Sequence, residues 1–127
     1  MNKIYVVYGQ GPCGKSNFVR DIVLKNPNSL LEYGDLNTMQ FHIKYKHEMK
    51  HFDNVIIDDL FPYNRYSRED RTKARNLVMK IFDYKDNFDN LFLVCHEKKH
   101  ALEITDRLLT IEDLGKDVRI KFLDFGE

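Results

Sequence analysis

Tryptophan is absent from this sequence, and cysteine and proline are scarce. The 127 residues include two cysteines and three prolines. Cys13 and Cys95 cannot build a disulfide framework, so we expect a reducing, cytoplasmic setting. The prolines are dispersed, and the chain contains neither an internal repeat nor a low-complexity linker. We therefore expect one domain that spans residues 1–127.

An excess of charge and a long apolar run are lacking as well. Twenty basic and twenty acidic residues give a formal net charge of zero, which argues against a general polyanion binder but allows a local basic patch. No apolar run approaches the roughly 20 residues of a membrane span, and the N-terminal run stops at Gly9, too early for a secretory signal. Hydrophobic residues make up 43% of the chain, enough for a packed core. The composition predicts a globular protein with no membrane partner.

Short β-rich apolar runs alternate with longer amphipathic stretches, the pattern of βαβ units and a parallel sheet. Strands are predicted at residues 4–8, 30–33, 54–59 and 91–95, and helices from residue 15 to about 25, less clearly over 36–50, and after Ser67, which resembles an N-cap. The helix after Ser67 has the clearest period, carried by Ala74, Leu77, Val78, Ile81 and Phe82. Residues 108–111 and 118–125 are predicted to form a hairpin. The expected fold is an α/β three-layer αβα sandwich, with a mostly parallel five- or six-stranded sheet and a C-terminal edge hairpin.

A glycine-rich octapeptide follows the first strand. Its sequence, Gly9-Gln10-Gly11-Pro12-Cys13-Gly14-Lys15-Ser16, fits the pattern G-x-x-x-x-G-K-[ST]. Glycines let backbone N–H groups approach phosphate oxygens, and the helix that opens at Lys15 adds its own N–H groups and the positive end of its dipole. Lys15 can reach the β- and γ-phosphates, and the Ser16 hydroxyl is a ligand for Mg²⁺. We predict that residues 9–16, together with Asn17, bind a nucleoside triphosphate.

In this segment the chain resembles the P-loop NTPase superfamily, in which it is the Walker A motif. Residues 52–59 resemble the Walker B motif, an apolar strand that delivers carboxylates to the ligand-binding edge of an open sheet. The resemblance implies that Asp58 holds Mg²⁺ through a water molecule. It also implies that Asp59 stands where many relatives carry a glutamate that orients or deprotonates the attacking water. Aspartate is one methylene shorter, and the alternative is that Asp59 ends the strand or helps to hold the metal.

The additional-strand branch of this superfamily has a strand between the Walker A and Walker B strands. Residues 91–95 are the candidate, and the resemblance makes His96 the residue that contacts the γ-phosphate or the attacking water. Relatives more often carry Asn, Gln, Ser or Thr there, but a neutral histidine also donates a hydrogen bond. The alternative is a solvated histidine, and Glu97 is a weaker candidate. The Asp58-Asp59 pair is similar to superfamily-three helicases of small DNA viruses, whereas the late hairpin and His96 look more like phage-type RecA-like ATPases.

Basic residues cluster after the acidic strand. Arg65, Arg68, Arg71, Lys73 and Arg75 lie within eleven positions. A solvated helix face is the simplest interpretation, and the alternatives are a nucleic-acid contact or an arginine finger for a neighbouring subunit. Further finger candidates lie late in the chain, at Arg107, Arg119 and Lys121.

Three histidines also lie close together in the sequence. His42, His47 and His51 include an i, i+4 pair that could bind a metal on one helix. No glutamate completes an H-E-x-x-H motif, and no cysteine joins them. We therefore do not expect a structural zinc site from this group.

Together these features predict a Mg²⁺-dependent ATPase that hydrolyses the γ-phosphate, with Lys15, Asp59 and His96 as catalytic residues. The resemblance implies a nucleic-acid process of helicase, recombination or packaging type, and a homo-oligomeric ring or filament or a larger protein partner. Two alternatives stay open. A small nucleotide or metabolite kinase would use residues 65–75 as a lid and Asp35 or Asp59 as the base. A binding module would use the nucleotide as a structural ligand or a switch.

Overall fold

A computed structural model describes residues 3–9, 14–33, 51–58, 72, 76–81, 83–108 and 119–125. The strands in these residues are β1 (Lys3–Tyr8), β2 (Ser29–Tyr33), β3 (Phe52–Asp58), β4 (Phe88–Cys95) and β5 (Arg119–Asp124). The helices are α1 (Lys15–Lys25), α2 (Lys98–Leu108), a short 3₁₀ helix (Lys85–Asn87) and a helical stretch at residues 76–81. The predicted helix at 36–50 and the predicted N-cap Ser67 lie outside the described residues. Each helix in this part of the chain is too short or too polar to span a membrane.

The described strands form one all-parallel sheet in the order β2-β3-β4-β1-β5. The predicted α/β class and parallel sheet are therefore confirmed. β4 lies between β1 and β3, as the sequence predicts. The predicted C-terminal hairpin is not what the described residues form, because Leu108 ends α2 and β5 is a parallel edge strand beside β1. Residues 109–118, which would complete a hairpin, lie outside the described residues.

Both faces of the sheet are apolar because helices cover both of them. On one face, strand residues such as Ile4, Val6, Ile57 and Leu93 pack with Leu77, Val78 and Ile81 of the helical stretch and with Ala101 of α2. On the other face, Val7, Ile56, Phe92 and Val94 pack beneath Phe18, Val19 and Ile22 of α1. The predicted buried face is confirmed at Leu77, Val78 and Ile81, which are all buried. Ala74 and Phe82, the other two residues of this period, lie outside the described residues.

Aromatic contacts hold α1 against the sheet. The Phe18 ring lies with its centroid 5.2 Å from that of Phe125 and 6.0 Å from that of Phe92, and Tyr5 stacks on Phe92 at 4.6 Å. Such offset and edge contacts add about 0.5–1.5 kcal/mol per pair to the burial of the rings. They place the first turn of α1 above the carboxyl ends of β1 and β4.

A buried amide connects three strands near their amino-terminal ends. Asn54 is 8% exposed, and its Nδ2 donates to Ser29 Oγ at 3.2 Å while its Oδ1 accepts from Asn90 Nδ2 at 3.1 Å. These bonds join β2, β3 and β4 side by side. A shift of one strand would separate Asn54 from these partners, and a buried amide without partners is costly. The network therefore favours the observed register of the three strands.

Candidate functional site

Gly14 forms the turn that leads into α1. Its φ is +97°, a left-handed conformation that glycine adopts without the steric penalty of a Cβ. A Cβ at this position would meet Phe125 Cδ1 at 3.9 Å, an ordinary contact, so the backbone conformation rather than the space favours glycine. The Gly14 carbonyl accepts a hydrogen bond from the Phe18 N–H at 2.9 Å. The helix therefore begins at Lys15, as predicted.

The Lys15 ammonium lies at the carboxyl ends of β1 and β4. Lys15 is only 8% exposed. Its Nζ donates to the carbonyl oxygens of Gly9 and Cys95, the second at 3.2 Å, and lies 3.4 Å from Nδ1 of His96. The two carbonyl oxygens carry no charge, and Lys15 forms no ion pair with a carboxylate in the described part of the chain. A buried cation with only neutral partners creates a local preference for an anion.

His96 follows β4 directly and is partly buried. Tyr8 pairs with Cys95 in the sheet register, so the ends of β1 and β4 lie side by side. Because Nδ1 faces the Lys15 ammonium, it acts as an acceptor, and a neutral ring with this contact carries its proton on Nε2. The structure therefore brings the predicted sensor histidine and the predicted phosphate-binding lysine together.

Asp58 is the last residue of β3 and is partly buried. Ile57 pairs with Leu93, which in turn pairs with Val6. Asp58 therefore reaches the same sheet edge as Lys15. Since β4 lies between β3 and β1, the backbones of β3 and β1 are roughly 10 Å apart.

The structure describes only some of the other residues that are predicted to form the nucleotide site. Ser16 and Asn17 are exposed in the first turn of α1, and Asn17 Oδ1 accepts a hydrogen bond from Arg20 Nη2 at 2.8 Å. Gln10, Gly11, Pro12, Cys13 and Asp59 lie outside the described residues, as do Asp35, Arg65, Arg68, Arg71, Lys73 and Arg75. Glu97 directly precedes α2, and its Oε2 forms an ion pair at 3.1 Å with Nζ of Lys99 in the first turn of that helix.

The backbones of the two late finger candidates in β5 lie away from the carboxyl end of that strand. In the sheet register Arg119 is level with Lys3, and Lys121 is level with Tyr5. At about 3.3 Å per residue, Arg119 lies roughly 16 Å, and Lys121 roughly 10 Å, from the end of β5 at Asp124. Arg107 is in the last turn of α2.

Sequence reasoning misses one group of side chains, at the opposite edge of the sheet. His51 Nε2 lies 3.3 Å from Asp89 Oδ2 and 4.0 Å from Asp53 Oδ1. The histidine group is rejected above because no H-E-x-x-H glutamate and no cysteine accompanies it, whereas the acids near His51 lie on two adjacent strands. A signal was present, because Phe-Asp-Asn occurs twice, at residues 52–54 and 88–90.

Comparison of the chain with protein-family models found no match, and comparison with curated proteins found none either. The assignment of a function therefore depends on the motifs and on the geometry around Lys15.

Proposed function

We propose that the protein is a Mg²⁺-dependent nucleoside triphosphatase of the P-loop type, with ATP as its substrate. The observation that carries this proposal is the buried Lys15 ammonium of the phosphate-loop pattern, whose partners among the described residues are two carbonyl oxygens and a ring nitrogen of His96. A phosphate oxygen carries the negative charge that these acceptors lack, and it competes with the carbonyl oxygens of Gly9 and Cys95 for the ammonium. The position of β4 between β1 and β3 supports the additional-strand branch of the superfamily.

The oxygen donors at this edge fit a magnesium ion. Mg²⁺ prefers oxygen ligands and retains several waters, and the Ser16 hydroxyl and the Asp58 carboxylate are such donors. When bound, the ion neutralises charge on the phosphates. Lys15 stabilises the negative charge that develops on the γ-phosphate oxygens. The His96 Nε2–H group donates to a γ-phosphate oxygen or to the attacking water, and Asp59 accepts a proton from that water.

A neighbouring subunit completes the site in this proposal. The late basic residues Arg107, Arg119 and Lys121 are candidates for this contact from a second copy. A ring or filament on a nucleic acid would place them at such a contact. Measuring the mass in solution with a non-hydrolysable ATP analogue, with and without single-stranded DNA, tests assembly. A mass that stays monomeric in both conditions would contradict it.

Phosphate release from Mg-ATP tests the activity. The wild-type chain should release phosphate, and Lys15→Met should lower the rate by about 100-fold or more, because one transition-state contact of this kind contributes two to three orders of magnitude. Lys25→Met is the matched control, since Lys25 is exposed in the last turn of the same helix. Its rate should equal that of the wild type. A Lys15→Met variant that folds normally and retains full turnover would contradict the proposal.

A second assay separates the other activities. The chain is incubated with Mg-ATP and a panel of mononucleotides, and both transfer and hydrolysis are measured. Transfer without appreciable hydrolysis would identify a kinase, and nucleotide binding without either reaction would identify a binding module. Each outcome overturns the triphosphatase assignment.

A further inference from the structure

Two neighbouring strands of the sheet begin with the same tripeptide. Phe-Asp-Asn opens β3 and also opens β4. The register pairs Phe52 with Phe88 and Asn54 with Asn90, so Asp53 and Asp89 lie side by side in the row between them. Like charges at directly neighbouring positions destabilise a sheet. A cation between the two carboxylates would remove this cost.

His51, immediately before β3, adds a nitrogen donor to the two carboxylates. The three ligand atoms lie within 4.8 Å of one another. A tetrahedral zinc ion with bonds of about 2.0–2.1 Å holds its ligand atoms roughly 3.3 Å apart. The His51–Asp89 distance of 3.3 Å already has this value, and the His51–Asp53 distance of 4.0 Å must shorten slightly. The two carboxylate oxygens lie within 4.8 Å of each other and must reach the same separation. All three side chains are about half exposed, so core packing does not prevent the adjustment.

Asn26, at the end of α1, orients one of these carboxylates. Its Nδ2 donates to Asp53 Oδ2 at 3.0 Å, while Asp53 Oδ1 is the oxygen directed towards His51. Asn26 is itself held, because its Oδ1 accepts from the Asn28 N–H at 3.0 Å. A hydrogen bond to the far oxygen of a ligating carboxylate is a common way in which proteins orient metal ligands.

We propose that His51, Asp53 and Asp89 bind one divalent transition-metal ion of the Zn²⁺ class, with water in the fourth position. The imidazole nitrogen favours Zn²⁺ over Mg²⁺, which prefers oxygen ligands. The site lies at the amino-terminal edge of the sheet, roughly 16 Å along β3 from Asp58. It is therefore separate from the nucleotide site, and its role is to join β3 to β4 and, through Asn26, to the end of α1.

Calorimetric titration of the metal-free full chain with ZnCl₂ tests this site. The wild type should bind one zinc ion and show a higher Tm, and MgCl₂ at the same concentration should produce neither effect. His51→Gln and Asp89→Asn should each weaken zinc binding by about 10-fold or more and remove the rise in Tm. Asp86→Asn is the matched control, because Asp86 is an exposed aspartate that precedes β4 and lies outside the cluster. Lys15→Met should bind zinc as the wild type does, which distinguishes this site from the nucleotide site.

A cobalt titration provides a second readout that does not depend on stability. Bound Co²⁺ should give the visible absorption of a tetrahedral complex, and His51→Gln should abolish it. Zinc binding that is unchanged in both His51→Gln and Asp89→Asn would overturn the proposal, because the ion would then lie elsewhere. A wild type that binds no zinc would also overturn it.

Discussion

The Nζ atom of Lys15 and the Nδ1 atom of His96 lie 3.4 Å apart, although 81 positions separate the two residues. β1 and β4 are parallel neighbours whose last paired residues are Tyr8 and Cys95, so the residues that follow them meet at one edge. The lysine contact determines which ring nitrogen of His96 accepts and which donates. His96 therefore lies beside the lysine that is proposed to bind phosphate, and the first prediction follows from this contact.

Replacing His96 should lower turnover more than nucleotide affinity. His96→Ala removes the ring N–H donor, and we expect kcat for Mg-ATP to fall by about 100-fold while the Kd changes little. His96→Asn retains both an acceptor and an N–H donor and should recover part of the rate. Steady-state kinetics and a fluorescent-nucleotide titration measure the two quantities. Equal losses in both variants, or a lost affinity with unchanged kcat, would contradict the sensor role.

Substitution at Gly14 should destabilise the chain according to the tolerance of the new residue for a positive φ. At φ +97° a β-branched side chain is strained, so Gly14→Val should lower the free energy of unfolding by about 2 kcal/mol. Asparagine adopts left-handed conformations more readily, so Gly14→Asn should lower it by about 1 kcal/mol or less. Urea denaturation provides both values. If the two variants were equally stable, the strained backbone would not be the reason for glycine here.

The buried Asn54 amide should contribute to stability through its two neighbours. Asn54→Ala leaves Asn90 and Ser29 without these contacts, and we expect a loss of about 1–3 kcal/mol in the free energy of unfolding. A double-mutant cycle with Asn90→Ala should show a coupling of at least about 0.5 kcal/mol. Strictly additive losses would mean that the two amides do not interact in solution.

Acidification should destabilise the protein through His100. Burial lowers the pKa of His100 below 6.5, Lys99 and His96 add to this effect, and Glu97 and Glu103 partly offset it. The unfolded chain then takes up a proton at a higher pH than the folded chain. The stabilising contribution of neutral His100 to the free energy of unfolding is therefore fully present above pH 6.5. It is lost as the pH falls from 6.5 towards the folded-state pKa.

Urea denaturation at pH 7.5 and pH 5.5 measures this loss. His100→Leu places an apolar side chain that does not titrate in the buried position. The free energy of unfolding of this variant should differ less between the two pH values than that of the wild type. Lys98→Gln, on the exposed side of the same helix, should retain the wild-type difference. A His100→Leu variant with an unchanged difference would assign the pH dependence to other groups.

Local sequence patterns predict the individual elements well. The strands containing residues 4–8, 30–33 and 54–58 and the helix that begins at Lys15 are all observed, because each depends on a short apolar run or on a turn residue next to it. Helix α2 is not predicted, and Leu108, assigned above to a strand, is its final residue.

The sequence by itself determined the phosphate-loop pattern, the placement of Asp58 at the end of β3 and the apolar character of the sheet. Each is a property of neighbouring residues, which local propensity and hydrophobic period control. Only the tertiary structure decided that His96 contacts Lys15 and that Asp53 lies beside Asp89. Strand order and register set these contacts, and both are decided by the joint packing of side chains that are distant in the chain.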